Sequence, residues 1–164
     1  VMDLTLAGPS NEVPADSIGR LAEAVTRLHT YDPRNGALSS LLTSGQLSII
    51  RDVALRDALA AWPSAVADLR EIENIVLRLN QDRLMPYLSG RISIRALNVF
   101  FEVQSGPGQA GIFPDDFLQL LADREFENLV QEKLWWADIA LVRYVAVEAK
   151  LEDILATLTA AQDG

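Results

Sequence analysis

Residues 52–79 read DVALRDALAAWPSAVADLREIENIVLRL. Leu55, Leu59, Trp62, Val66, Leu69, Ile72, Val76 and Leu79 recur every three or four positions along it. That spacing puts them on one side of a helix with 3.6 residues per turn. Asp52 stands where an N-cap belongs, with a side-chain oxygen suited to an otherwise unpaired amide of the first turn. Pro63 interrupts the pattern, and an interior proline costs ~3 kcal/mol through a lost hydrogen bond and a clash. Because the apolar period continues on both sides, a kink or brief break is predicted there and not a domain boundary. Pro86 and Gly90 close the helix.

A second long pattern lies downstream. Pro114 at a first helical position, with Asp115 and Asp116 in the positive first turn, predicts the start of the last helical region. Leu134, Leu141 and Leu155 share one seven-residue row, interrupted by Glu148; Ala137, Tyr144, Leu151 and Leu158 share another. Two such rows suit bundle packing. The longest helices are therefore expected in 53–86 and 115–160. Leu55, Leu59, Leu69, Leu134, Leu141, Leu151 and Leu155 are expected to be mostly buried.

The remaining segments are shorter. Residues 1–13 read as a loose lead-in, and Asp16 or Ser17 caps a helix carrying Ile18, Leu21, Ala22, Val25 and Leu28. Asp32-Pro33 and Asn35-Gly36 end that stretch. Leu38, Leu41 and Leu42 make a short helix, which Gly45 is suited to stop in the left-handed conformation. Leu47, Ile49 and Ile50 form another piece. Residues 92–103 admit a strand through Ile92 and Ile94, or a helix capped by Ser93 through Ile94, Leu97 and Phe101; the neighbouring patterns favour helix. Residues 104–113, with three glycines and Pro107, form a loop. The predicted fold is all-α, an antiparallel helical bundle with two long helices and several short ones in a single domain, 1–164.

Composition excludes several classes of function. A length of 164 residues with 49 % apolar and 23 % charged residues describes a globular chain of about one domain. Residues 115–164 hold eleven Asp and Glu against four Lys and Arg, which is −7 of the total −9. Such a surface repels phosphate backbones, so no nucleic-acid partner is expected. Cysteine is absent, which removes disulfides, zinc-thiolate sites and thiol nucleophiles. No uncharged apolar run approaches the ~18–20 residues of a membrane span, so these residues are expected to be soluble as they stand. The start Val1-Met2-Asp3 shows no secretory leader and suggests a missing upstream segment.

Candidate chemistry is sparse. His29, the sole histidine, lacks the partners of a helical metal motif and reads as a partly exposed helix-end imidazole. Asp68 with Glu71, Asp123 with Glu127, and Glu148 with Glu152 pair carboxylates at helical spacing, an arrangement that serves a divalent cation or acid–base work. Solvated helix faces use the same spacing, with Arg70, Arg124 and Lys150 near enough to help neutralise them. Glu148 falls on the apolar seam and is the candidate buried polar site. No G-x-S-x-G serine occurs, and Gly106-Pro107-Gly108 lacks the strand and Lys-Ser/Thr ending of a phosphate loop. No cofactor or metal is predicted. Trp135 and Trp136 point ~100° apart, so one should pack inward while the other serves the edge as a partner contact.

The run Tyr31-Asp32-Pro33, Gly36-Ala37-Leu38, Leu41 to Ile50 with Ser44-Gly45, and Arg51-Asp52 followed by Leu55-Arg56 has the density of a signature. With Ala61-Trp62-Pro63, Asp68 to Glu73, Leu84 to Leu88 and Arg124-Glu125-Phe126, it resembles a family of uncharacterised bacterial membrane-anchored proteins. The resemblance implies an upstream membrane helix absent from this chain and a periplasmic, inner-membrane-anchored soluble region; it implies no activity. The residues themselves read as a structural clasp. The leading expectation is a non-catalytic envelope domain that binds a protein partner or senses a ligand. The alternatives are a carboxylate-based or metal-dependent hydrolase using Glu148 with Asp68 or Glu71, and a structural spacer that forms a homo-oligomer through the last helix.

Overall fold

The computed structural model describes residues 15–97 and 117–162. The chain is an all-α helical bundle with two long helices and several short ones. Its helices are α1 (Ala15–Thr26), α2 (Gly36–Thr43), a 3-10 turn (Gln46–Ile49), α3 (Val53–Leu79), a π turn (Asn80–Leu84), α4 (Met85–Ser89), α5 (Ile94–Leu97), α6 (Phe117–Leu121) and α7 (Arg124–Gln162). Residues 1–13, the loop 104–113, and Pro114, Asp115 and Asp116 lie outside the described residues, as does the second half of the predicted 92–103 helix. The described part of that last segment is the single turn α5.

The two long helices depart from expectation at their ends and interruptions. α3 runs through Pro63 without a break. Pro63 is exposed, and its missing amide leaves the Leu59 carbonyl without its helical donor. The interruption comes instead at Asn80–Leu84, where the helix widens to a π turn before α4. Pro86 sits inside the first turn of α4, and Gly90 ends it. The last helix starts later than predicted, at Arg124, because Asp123 caps it: Asp123 Oδ1 accepts the Glu125 amide at 2.8 Å.

The chain divides into two compact units. Among the described residues the first comprises 15–28, 75–97 and 117–137. α1 packs there against α5 and α6. Ala22, Val25, Leu84, Leu88, Leu97, Leu120, Phe126 and Leu129 form its core. Arg83 pairs with Glu132, while Arg91 reaches Asp123 at 3.1 Å and Glu125 at 3.2 Å. Those pairings show the 83–91 segment running antiparallel to the start of α7. Arg91 also covers the Tyr87 ring at 3.7 Å, and Tyr87 stacks on Phe126 with centroids 5.9 Å apart. Trp136 packs against this core, whereas Trp135 is exposed.

The second unit comprises 29–74 and 138–162. Leu55, Trp62, Ala65, Val66 and Leu69 of α3 form its core with Val147 and Ile154 of α7. The predicted burial of Leu141, Leu151 and Leu155 is wrong: they are 61 %, 36 % and 54 % exposed. Leu55 and Leu69 are buried as expected, while Leu59 and Leu134 are half-buried. The inward row of α7 is Phe126, Lys133, Ala140, Val147 and Ile154, one residue ahead of the Leu134–Leu141–Leu155 row. Glu148, between Leu141 and Leu155, is therefore exposed and is not the buried polar site expected. Turning that row outward keeps Glu148 and Glu152 in water, which avoids desolvating two carboxylates.

Candidate functional site

Two clusters place polar side chains among buried ones. In the first unit Glu23, Thr26, Asn80 and Lys133 are all buried. They gather at the C-terminal end of α1, where carbonyl groups lack helical donors. Asn80 Nδ2 donates to the Thr26 carbonyl at 3.1 Å, and Lys133 Nζ donates to the Arg27 carbonyl at 3.3 Å. Arg27 Nε in turn bonds Glu23 at 2.5 Å. A cation at a helix C-terminus also favours the helix dipole. Burial pushes the Lys133 ammonium below the usual lysine range. The π turn presents Asn80 to this end, and its Oδ1 is buried without a hydrogen-bond partner. The cluster's bonds complete a helix end.

The second cluster borders open space. The loop that leaves α1 runs back along α3, each polar group meeting a partner progressively earlier in that helix. The Tyr31 amide donates to Glu73 Oε1 at 2.7 Å, Arg70 donates to Asp32 at 2.6 Å, and Trp62 Nε1 donates to Asn35 Oδ1 at 3.1 Å. Glu73 occupies the apolar stripe of α3, eleven residues after Trp62, and is only 8 % exposed. It also accepts the Tyr144 hydroxyl at 2.5 Å, which reaches the His29 carbonyl at 3.3 Å as well. Burial, with the Glu73 carboxylate alongside, pushes the Tyr144 phenol above its ordinary range. Tyr31, Tyr144, Val147, Glu148 and Leu151 line a cleft of about 320 Å³ beside this hydrogen-bonded group.

The remaining predicted residues fall into place around these clusters. Gly45 has φ = +70°, with no atom within 4 Å of an added Cβ, and stands between α2 and the 3-10 turn. Asp52 caps α3 by accepting the Leu55 amide at 2.9 Å. Ser44 Oγ bonds the Leu41 carbonyl at 3.3 Å, Gly36 opens α2, Pro33 is half-buried, and Arg51 is exposed. Asp32 pairs with Arg70, a bond its place in a turn did not announce. His29 is exposed. Asp68, Glu71 and Glu148 are each exposed, and no group of three or more His, Cys, Asp or Glu able to hold a metal occurs among the described residues.

Glu73, Tyr144 and Lys133 went unnamed as site residues in the sequence reading. A signal existed for two of them. Glu73 is a charge in the Trp62–Val66–Leu69 stripe, and Lys133 a charge in the Phe126–Ala140–Val147 row. No protein-family model matches the chain, and no curated protein or solved structure is significantly similar to it. Among the described residues no helix is long and apolar enough to cross a membrane.

Proposed function

We propose that this chain is a non-catalytic helical binding module that takes a small ligand in the Tyr31–Tyr144 cleft. The observation carrying the reading is the buried Glu73 carboxylate, which ties the Tyr31 backbone and the Tyr144 hydroxyl to α3 and so fixes two walls of an open cleft. Preformed walls that are mostly apolar, with a few placed polar groups, are what small-molecule sites have in common. The resemblance of the Tyr31–Arg56 signature to membrane-anchored bacterial proteins supports an envelope setting, where such a module would act as a sensor. A fragment screen by ligand-observed NMR tests the reading. Fragments displaced by Leu151→Trp, which fills the cleft, support it; an empty screen, or hits indifferent to that change, overturns it.

A second reading, a protein partner, is favoured by the outer face of α7. Leu141, Val145 and Leu155 lie on one helical row and are 61 %, 56 % and 54 % exposed. Glu148 and Glu152 stand between them on the same row. A second copy of the chain would set like carboxylates against each other, so the occupant that fits is a basic amphipathic helix. A designed Leu/Lys helix should bind at 150 mM salt and lose affinity when Leu141 and Leu155 are both changed to Ser. Indifference to that change, or a stable dimer in sedimentation, overturns this reading.

A further inference from the structure

The walls of the cleft have one electrostatic sign. Tyr31 and Tyr144 contribute two phenol rings, Val147 and Leu151 an apolar surface, and Glu148 an exposed carboxylate. Behind them the buried Glu73 carboxylate accepts bonds from the Tyr31 amide and the Tyr144 hydroxyl. Among the described residues no lysine or arginine forms an ion pair with Glu73. Hydrogen bonds from the Tyr31 amide and the Tyr144 hydroxyl leave that carboxylate unneutralised behind the cleft wall. Among the described residues no cationic side chain lines the cleft, and the chain as a whole carries −9.

An anion entering this space would meet the Glu148 carboxylate and two phenol rings. A neutral apolar body would fill it without using Glu148. A cation gains from both features, since aromatic rings attract ammonium groups through their quadrupole and Glu148 attracts them directly. A volume of about 320 Å³ is near the lower end of small-molecule sites and sets the size of the guest. We propose that the cleft is a site for a small organic cation, an ammonium head on a compact apolar body. The inference rests on the cleft being a ligand site at all, and its test separates the two.

Choline, 3,3-dimethylbutan-1-ol and 3,3-dimethylbutanoate share nearly one shape and differ in charge. Each is titrated into the full chain labelled with 3-fluorotyrosine, which gives one fluorine signal for each of its three tyrosines. Tyr87, buried in the first unit, is the internal reference. The expected result is a saturable shift of the Tyr31 and Tyr144 signals with choline, at least about tenfold tighter than with the neutral alcohol, and no shift with the carboxylate. Glu148 is exposed, so its variants should fold. Glu148→Gln should weaken choline binding about three- to tenfold, and Glu148→Lys should abolish it. Equal binding of alcohol and choline overturns the cation while leaving the cleft as a ligand site. No response to any of the three, beside fragment hits that Leu151→Trp displaces, does the same. No response and no such hits overturn both.

Discussion

Buried charge serves opposite ends in the two units. In the first, Lys133, Asn80 and Glu23 turn toward the last carbonyls and first loop residue of α1, where their bonds complete a helix end. In the second, Glu73 gathers two donors at the edge of a cleft and leaves the tyrosines as its walls. The apolar side chains divide in the same way. Apart from Leu69, the largest fully buried ones belong to the first unit; apart from Leu28 and Trp135, the large exposed ones belong to the second. A polar group inside a core is thus no mark of function by itself. The partners of Glu73 stand at an open cleft, those of Lys133 at a helix end.

The largest effects should come from core truncation. Leu88→Ala in the first unit and Leu69→Ala in the second should each cost about 2–5 kcal/mol, because both side chains are fully buried. Leu141→Ala, at an exposed position of α7, should stay within about 0.5 kcal/mol. Chemical denaturation monitored by circular dichroism measures all three. A large loss from Leu141→Ala would mean that its row is covered in solution and would erase the contrast between the units.

Glu73 gives the next test. Glu73→Leu leaves the Tyr31 amide and the Tyr144 hydroxyl without their acceptor, a loss of about 1–3 kcal/mol for each donor that stays buried. Glu73→Gln keeps an acceptor oxygen in place and should cost clearly less. If the two variants melt alike, the hydrogen bonds do not hold this wall. Smaller still is Gly45→Val. With φ = +70° and open space around it, the expected loss is backbone strain alone, about 1–2 kcal/mol in thermal unfolding.

Alkaline titration should separate Lys133 from Tyr144 by sign. Burial lowers the Lys133 pKa in the folded state, so the unfolded chain binds more protons between the folded and unfolded values. Stability from this group therefore rises as pH climbs toward 10.5, the unfolded lysine value. The Tyr144 pKa is raised on folding, so its contribution is whole below pH 10 and declines as pH rises above it. Relative to the parent chain, Lys133→Met should lose the alkaline gain, and Tyr144→Phe should lose part of the alkaline decline. Parallel stability–pH curves for parent and variants would refute these assignments.

Much of this molecule is legible without coordinates. The long helical patterns, the Asp52 cap, the positive φ of Gly45 and the unequal burial of Trp135 and Trp136 follow from spacing and local sterics. These depend on neighbours within a few residues, which the sequence states directly. Asn35 shows where such reading stops: with Gly36 it reads as a turn, yet its side chain accepts from Trp62, 27 residues away.

Which side of α7 turns inward was decided only in three dimensions. The Leu134–Leu141–Leu155 row and the Ala140–Val147–Ile154 row are one residue apart, and rotating a helix by ~100° changes none of its own hydrogen bonds. Local energetics cannot rank the two faces. The choice follows from what each face brings along: Glu148 and Glu152 in one case, small and branched side chains in the other. The same holds for the cleft. Tyr31, Glu73 and Tyr144 are far apart in sequence, and only the packing of the second unit brings a loop amide, a buried carboxylate and a phenol within hydrogen-bonding distance.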